Sequence, residues 1–195
     1  MLLVSVKAPA VVADLAILAY GHDVALRASS FVVPAGSLTT LIGPNGSGKS
    51  TVLNAVAGLI APSSGRLELA PVDGRRPRVS YVLQATKVNE SLPVTAREVI
   101  AMGRYPRRGL WRSLTEEDRT AIDSAVEVMA LGPVANKHFG ELSGGQRQRV
   151  LVAQGLAQDH DILLLDEPLT GLDMPSAERI DAVIHDERVG GRDRR

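Results

Sequence analysis

Residues 43–51 read GPNGSGKST, and positions 43 to 50 satisfy the pattern G-x-x-x-x-G-K-[ST] at every fixed place. The spacing has a chemical reason. Gly43, Pro44, Asn45, Gly46, Ser47 and Gly48 form a glycine-opened loop whose backbone N–H groups can wrap the α- and β-phosphates of a nucleotide. Lys49 can reach the β- and γ-phosphates, and the Ser50 hydroxyl can hold Mg²⁺, with Thr51 following in the same helix. The flanks fit this reading. SLTTLIG, residues 37–43, is rich in β-formers and ends in glycine, which predicts a strand. KSTVLNAVAGL, residues 49–59, has helical spacing that stops near Gly58.

A second element lies far downstream. ILLLDEP, residues 162–168, is an apolar run of strand length stopped by Pro168, as a buried parallel strand would be. It ends in Asp166, so it sets a carboxylate at the sheet edge where ligands bind in α/β folds. Asp166 is read as a Mg²⁺ holder, through water and opposite Ser50. Glu167 follows at once and can orient or deprotonate an attacking water. Alone, DE would be an acidic turn; with the phosphate loop upstream it reads as catalytic.

The rest of the chain bounds these readings. With 195 residues it suits one domain, or one with an inserted subdomain. Apolar residues make up 45 % but aromatics only 3 %, so the core must be aliphatic. Net charge is zero, which gives no electrostatic pull toward a polyanion. Cysteine is absent, so neither disulfides nor cysteine metal sites arise. No apolar run approaches the roughly 18 residues that span a bilayer. APAVVADLAILAY, residues 8–20, is broken by Asp14 and lacks the marks of a signal peptide.

Elsewhere β and α signals alternate. VALRASSFVVPAG, residues 24–36, reads as a short strand pair, and SSGRLEL and RVSYVLQ read as strands with PVDGRRP turning between them. From Thr95 to Ala130 the pattern is helical, punctuated at Pro106 and Gly109. Thr115 with Asp118 three residues on starts its last helix as a capping box. Strand, loop, helix, helical insert and buried strand make an α/β domain.

LSGGQ, residues 142–146, is a third element: a glycine pair before a helix, again suited to an anion. Phosphate loop, LSGGQ and LLLDEP, in that order, resemble the nucleotide-binding domain of ABC transporter ATPases from about Val12 to Arg188. The resemblance implies a P-loop NTPase fold with a mostly parallel core sheet, an N-terminal antiparallel β subdomain and a helical subdomain at about 88–145. It implies ATP and Mg²⁺ as ligands. It also implies a head-to-tail pair, in which Ser143, Gly144, Gly145 and Gln146 face the ATP held by a second ATP-binding subunit. One chain would then carry two phosphate binders because each ATP sits between two chains.

Further roles come from the same resemblance. Tyr20 stands where the family stacks an aromatic ring on adenine. Gln84, ending RVSYVLQ, stands where a glutamine touches Mg²⁺ and the attacking water. Asp173 falls in the loop that links paired sites. The helical insert resembles importers of metal ions (zinc or manganese) or iron chelates. A polytopic membrane permease is the implied partner, with this subunit on the cytoplasmic face of the membrane. The cluster Arg104, Arg107, Arg108 and Arg112 could lie near that permease or be a solvated helix end. Tyr105 and Trp111 are too few for a nucleic-acid stacking platform.

One departure stands out. His22, His138, His160 and His185 show no metal-ligand spacing, and none fits the family's switch histidine, which follows a further strand. The sequence reaches Arg195 before that pattern arrives, and VIHDERV, residues 183–189, reads as helix. The expectation is a 195-residue chain that lacks a central strand, is unstable alone and hydrolyses ATP very slowly. Two other readings stay open: a soluble ABC ATPase that moves no cargo, and a non-catalytic remnant. Lys49→Ala should sharply lower ATP affinity in titration calorimetry, and an unchanged affinity would refute the loop assignment.

Overall fold

The computed structural model describes residues 8–21, 23–82, 93–108, 113–169 and 173–190. Two compact units divide the chain: Met1–Pro77 with Glu187–Arg195, and Arg78–Asp186.

In the first unit, β1 (Pro9–Tyr20) lies between β2 (Asp23–Pro34) and β3 (Ser64–Leu69), both antiparallel to it. The strand pair expected within residues 24–36 is instead one long strand whose partner is β1. Val11, Ala13, Ala16 and Leu18 of β1 are buried. That spacing departs from strict alternation because the register shifts between Ala13 and Ala16, where Leu15 takes a left-handed φ of 45°. Gly65 makes the bulge possible. A methyl group there would overlap the Leu15 carbonyl, so β3 can approach only without a side chain. Helix α1 (Lys49–Val56) buries Thr51, Val52, Ala55 and Val56. It ends as read from sequence: Gly58 turns left-handed, and the Leu59 amide donates to Asn54 O at 2.9 Å.

Residues 37–44 differ from expectation. They carry β-formers, yet they join no ladder, and Leu38, Leu41 and Ile42 are exposed, Ile42 by 93 %. Strand propensity is realised only where a neighbour supplies hydrogen bonds and a packing surface. Among the described residues, none pairs with this segment.

The second unit is mostly helical. Its parallel sheet consists of β4 (Val79–Val82) and β5 (Ile162–Leu165), in register from Val79↔Ile162 to Val82↔Leu165. Of β5 only Leu164 is buried; its neighbours are half-buried, less than a central strand would show. Arg78 fixes the start of the pair: its amide donates to Asp161 Oδ2 at 2.7 Å, and its guanidinium reaches Asp159.

Helix α5 (Gly144–Ala157) packs on this pair, α2 (Ala96–Ala101) and α4 (Glu116–Val128) pack on α5, α3 (Tyr105–Arg108) follows α2, and α6 (Met174–Gly190) adds Ile180 to the core. Ile100, Met129, Leu131, Phe139, Val150 and Val152 form the centre of the core. Capping boxes open α2 at Thr95 and Glu98, and α4 at Thr115 and Asp118, the latter as the sequence predicts. The helical pattern runs through Pro106, which tolerates the second position of α3 because its missing N–H is not needed there. Residues 183–189 are helical, as read.

Arg104 corrects the expected basic cluster. It is buried, donating from Nε to Asp118 Oδ1 at 2.8 Å and from Nη1 to Ala157 O at 2.9 Å. It therefore ties the 3₁₀ turn at Met102–Arg104 to the start of α4 and the end of α5, and offers nothing to a partner. Burial works against the Asp118 charge. The Thr115 amide, Arg104 and the Thr115 hydroxyl outweigh it and hold the carboxyl well below its usual range. The Asp118 contribution is therefore complete above the unfolded-state pKa of about 3.9 and is lost as pH falls below it. Asp118→Asn should cost about 3–5 kcal/mol in urea melts at pH 7, because it strands a buried guanidinium. Glu117→Gln, at the exposed end of a 3.9 Å contact with Arg104, should cost less than about 1 kcal/mol. The gap between parent and Asp118→Asn should narrow toward pH 3; a constant gap would refute the ion-pair account.

Candidate nucleotide site

The loop Gly43–Gly48 rises into α1 through two left-handed glycines, Gly46 at φ 79° and Gly48 at φ 89°. Gly48 is the residue before the helix and has a second constraint: a methyl group there would press on the Ala25 carbonyl of β2. No side chain caps α1. The helices α2, α4 and α5, by contrast, each open with a capping box. Uncapped N-terminal amides and the positive helix end favour an anion. Lys49 folds back over the loop, donating from Nζ to Gly43 O and Pro44 O at 2.9 Å each. Its ammonium is thus held against the loop by the loop's own carbonyls. Ser50 and Thr51 are the second and third residues of α1, with Thr51 buried.

Tyr20 is 49 % exposed at the end of β1, so an adenine-stacking face is geometrically open. Its hydroxyl accepts from Asn54 Nδ2 at 3.1 Å, which ties the ring to the helix that follows the phosphate loop. Asn54 was not singled out from sequence, where it is one polar residue in a helical repeat.

The acidic pair belongs to the second unit. Asp166 follows β5, is 5 % exposed, and is anchored by its amide to Val82 O at 3.1 Å. Its Oδ2 accepts from the Tyr81 hydroxyl at 3.2 Å. Glu167 is exposed and has a left-handed φ of 49°. Such a backbone costs a non-glycine residue about 1–3 kcal/mol and concentrates at functional sites. Gln84 lies outside the described residues. Among those described, no group of three or more His, Asp or Glu side chains could hold a metal. Ser50 in the first unit and Asp166 in the second each carry a hard oxygen donor of the kind Mg²⁺ takes.

At the start of α5, Ser143 Oγ accepts from the Gln146 amide at 3.3 Å, and Gln146 Oε1 accepts from the Ser143 amide at 3.0 Å. Ser143 and Gly144 are exposed, whereas Gly145 is buried. A methyl group on Gly145 would overlap Asp173 Oδ1 and crowd Ser176 Oγ; on Gly144 it would meet nothing. Asp173 therefore touches the signature within its own unit, and Gly145 is required by packing. His138 forms a backbone β-bridge with Thr95 and leaves its side chain exposed, and the His160 ring hydrogen-bonds Gln158 O at 2.7 Å.

The loop, the uncapped helix and the strand-end carboxylates define a P-loop nucleotide-binding domain. Residues 26–170 match the family described as ABC transporter. The chain is 37 % identical over 175 residues to the chelated iron transport system membrane protein YfeB of Yersinia pestis, covering 88 % of this chain and 59 % of that protein. It is 36 % identical over 177 residues to the manganese transport system ATP-binding protein MntB of Listeria monocytogenes, covering 90 % of this chain and 74 % of that one. A dimeric ATP-binding cassette in a post-hydrolysis state, bound to ADP and Pi, superposes with a TM-score of 0.75 at 27 % identity, covering 91 % and 82 % of the two chains. The chain belongs to the ABC transporter family, as an ATP-binding domain of the ABC ATPase type. It spans less than two thirds of the Yersinia protein's length.

The glycine geometry yields a discriminating pair. Gly145→Asp should lower thermal stability, because the new carboxylate meets Asp173 at contact distance. Gly144→Asp should leave the melting temperature unchanged and weaken only ATP-dependent association. Calorimetric melts and light scattering separate the two, and equal melting temperatures would refute the packing role of Gly145.

Proposed function

We propose that this chain binds and hydrolyses ATP to drive a transporter that imports metal ions. The observation that carries the nucleotide reading is the uncapped start of α1, reached through Gly46 and Gly48 with Lys49 folded over the loop. In this reading the α1 amides and Lys49 hold the β- and γ-phosphates. Tyr20 stacks on the adenine, and Ser50, Asp166 and Gln84 are the groups for Mg²⁺. When bound, Mg²⁺ neutralises phosphate charge and polarises the γ-phosphoryl group. Glu167 orients the attacking water from an exposed position that its left-handed backbone projects past the strand.

The exposed Ser143 and Gly144 supply the second half of the site to another copy, an arrangement supported by the dimeric assembly of the similar cassette. Closure on ATP and reopening after hydrolysis would shift a membrane permease between two states, because ATP favours the closed pair. Metal import rests on the iron and manganese systems named among the relatives. No helix among the described residues is long and apolar enough to cross a membrane, and the reading places the subunit on the cytoplasmic face through its permease. A second reading, nucleotide binding with little turnover by the isolated chain, is favoured by the exposed, unladdered segment carrying Leu38, Leu41 and Ile42.

Glu167→Gln tests the catalytic assignment. It should preserve Mg²⁺–ATP binding, lower turnover by about 100- to 10,000-fold, and accumulate an ATP-bound dimer in light scattering. Turnover at the parental rate would overturn the role of Glu167.

A further inference from the structure

Tyr81 has no part in the assignments above, yet its hydroxyl donates to Asp166 Oδ2 at 3.2 Å. The contact follows from strand register. Tyr81 pairs with Leu164 across the parallel ladder, and Asp166 lies two residues beyond Leu164, so all three share one face. Ser80 and Val82, on the opposite face of β4, are buried in packing, with Ser80 Oγ donating to Gly155 O at 3.2 Å. Asp166 is thus held twice from β4, by its amide on Val82 O and by its carboxylate on Tyr81.

The chemistry of the donor matters. Asp118 and Asp161 of the same unit are held by guanidinium groups, which oppose their charge. A phenol is neutral. It can fix the orientation of a buried carboxylate and offset part of its desolvation without cancelling the charge that a divalent cation needs.

We propose that Tyr81 is a positioning residue for the Mg²⁺–nucleotide complex, acting through the orientation of the Asp166 carboxylate. This rests on the assignment of Asp166 to Mg²⁺. Phenylalanine preserves the ring and removes only the hydrogen bond, so Tyr81→Phe isolates the effect.

The test is the Mg²⁺ dependence of binding of a non-hydrolysable ATP analogue to the full chain, followed by titration for the parent, Tyr81→Phe, Asp166→Asn and the double variant. Tyr81→Phe should raise the half-saturating Mg²⁺ concentration about three- to tenfold, the range that one hydrogen bond commands. Affinity in EDTA should not change. In the Asp166→Asn background, Tyr81→Phe should add nothing, because its effect passes through that carboxylate. If Asp166→Asn shifts the Mg²⁺ curve and Tyr81→Phe does not, the positioning role is wrong and the metal assignment stands. If Tyr81→Phe lowers affinity equally with and without Mg²⁺, its role is structural and the proposal fails. If neither variant shifts the curve, the assignment of Asp166 fails and takes this proposal with it.

Discussion

The first amides of α1 have no capping side chain, and the surrounding residues are arranged around that fact. A helix start left bare costs stability unless something else accepts from its amides. Here the glycines that would weaken an ordinary turn make the amides accessible, and Gly48 also lets the turn lie against the β2 backbone where no side chain fits. The antiparallel strands β1 to β3 give α1 a surface on which to bury Thr51, Val52, Ala55 and Val56. The helix can therefore keep an exposed, anion-seeking end while its apolar face supplies its stability. The signature helix α5 takes the other course. Its start is closed by Ser143 and Gln146, and only Ser143 and Gly144 face outward.

The second unit solves a different problem, which is to hold charge in a mostly apolar core. Asp118 and Arg104 neutralise each other between the ends of two helices, and Arg78 closes the base of the parallel pair on Asp159 and Asp161. Asp166, at the opposite end of that pair, is held by a neutral phenol. The Arg78 ion pairs thus close one end of the strands, while Asp166, oriented by the Tyr81 hydroxyl, stands at their carboxyl end, where α/β folds bind ligands.

Motifs whose chemistry is local were legible in the sequence. The loop at 43–50, the Thr115 capping box and the stop at Gly58 each follow from a few adjacent residues, and each recurs in the structure. Features set by distant contacts were not. Leu15 gives no sign of a bulge, because Gly65 some fifty positions away permits it. Arg104 looked like one of several surface cations until Asp118 and the Ala157 carbonyl enclosed it. Residues 37–43 have strand composition, but a strand needs a neighbour that composition cannot supply. Tyr81 was visible only as one residue of a β pattern; its bond to Asp166 depends on the register of two strands about eighty residues apart. The reverse limit applies to LSGGQ: a role for its exposed Ser143 and Gly144 toward a second copy comes from the family resemblance alone.

The central claim is that each ATP lies between the phosphate loop of one copy and the signature of another. The cysteine-free sequence allows a clean test. Asn45→Cys and Ser143→Cys would be made as separate variants, mixed, and treated with a short bismaleimide with and without Mg²⁺–ATP. The account predicts a cross-linked dimer containing one copy of each variant, formed only when ATP is present. Cross-linking of either variant with itself, or a mixed product indifferent to ATP, would contradict it.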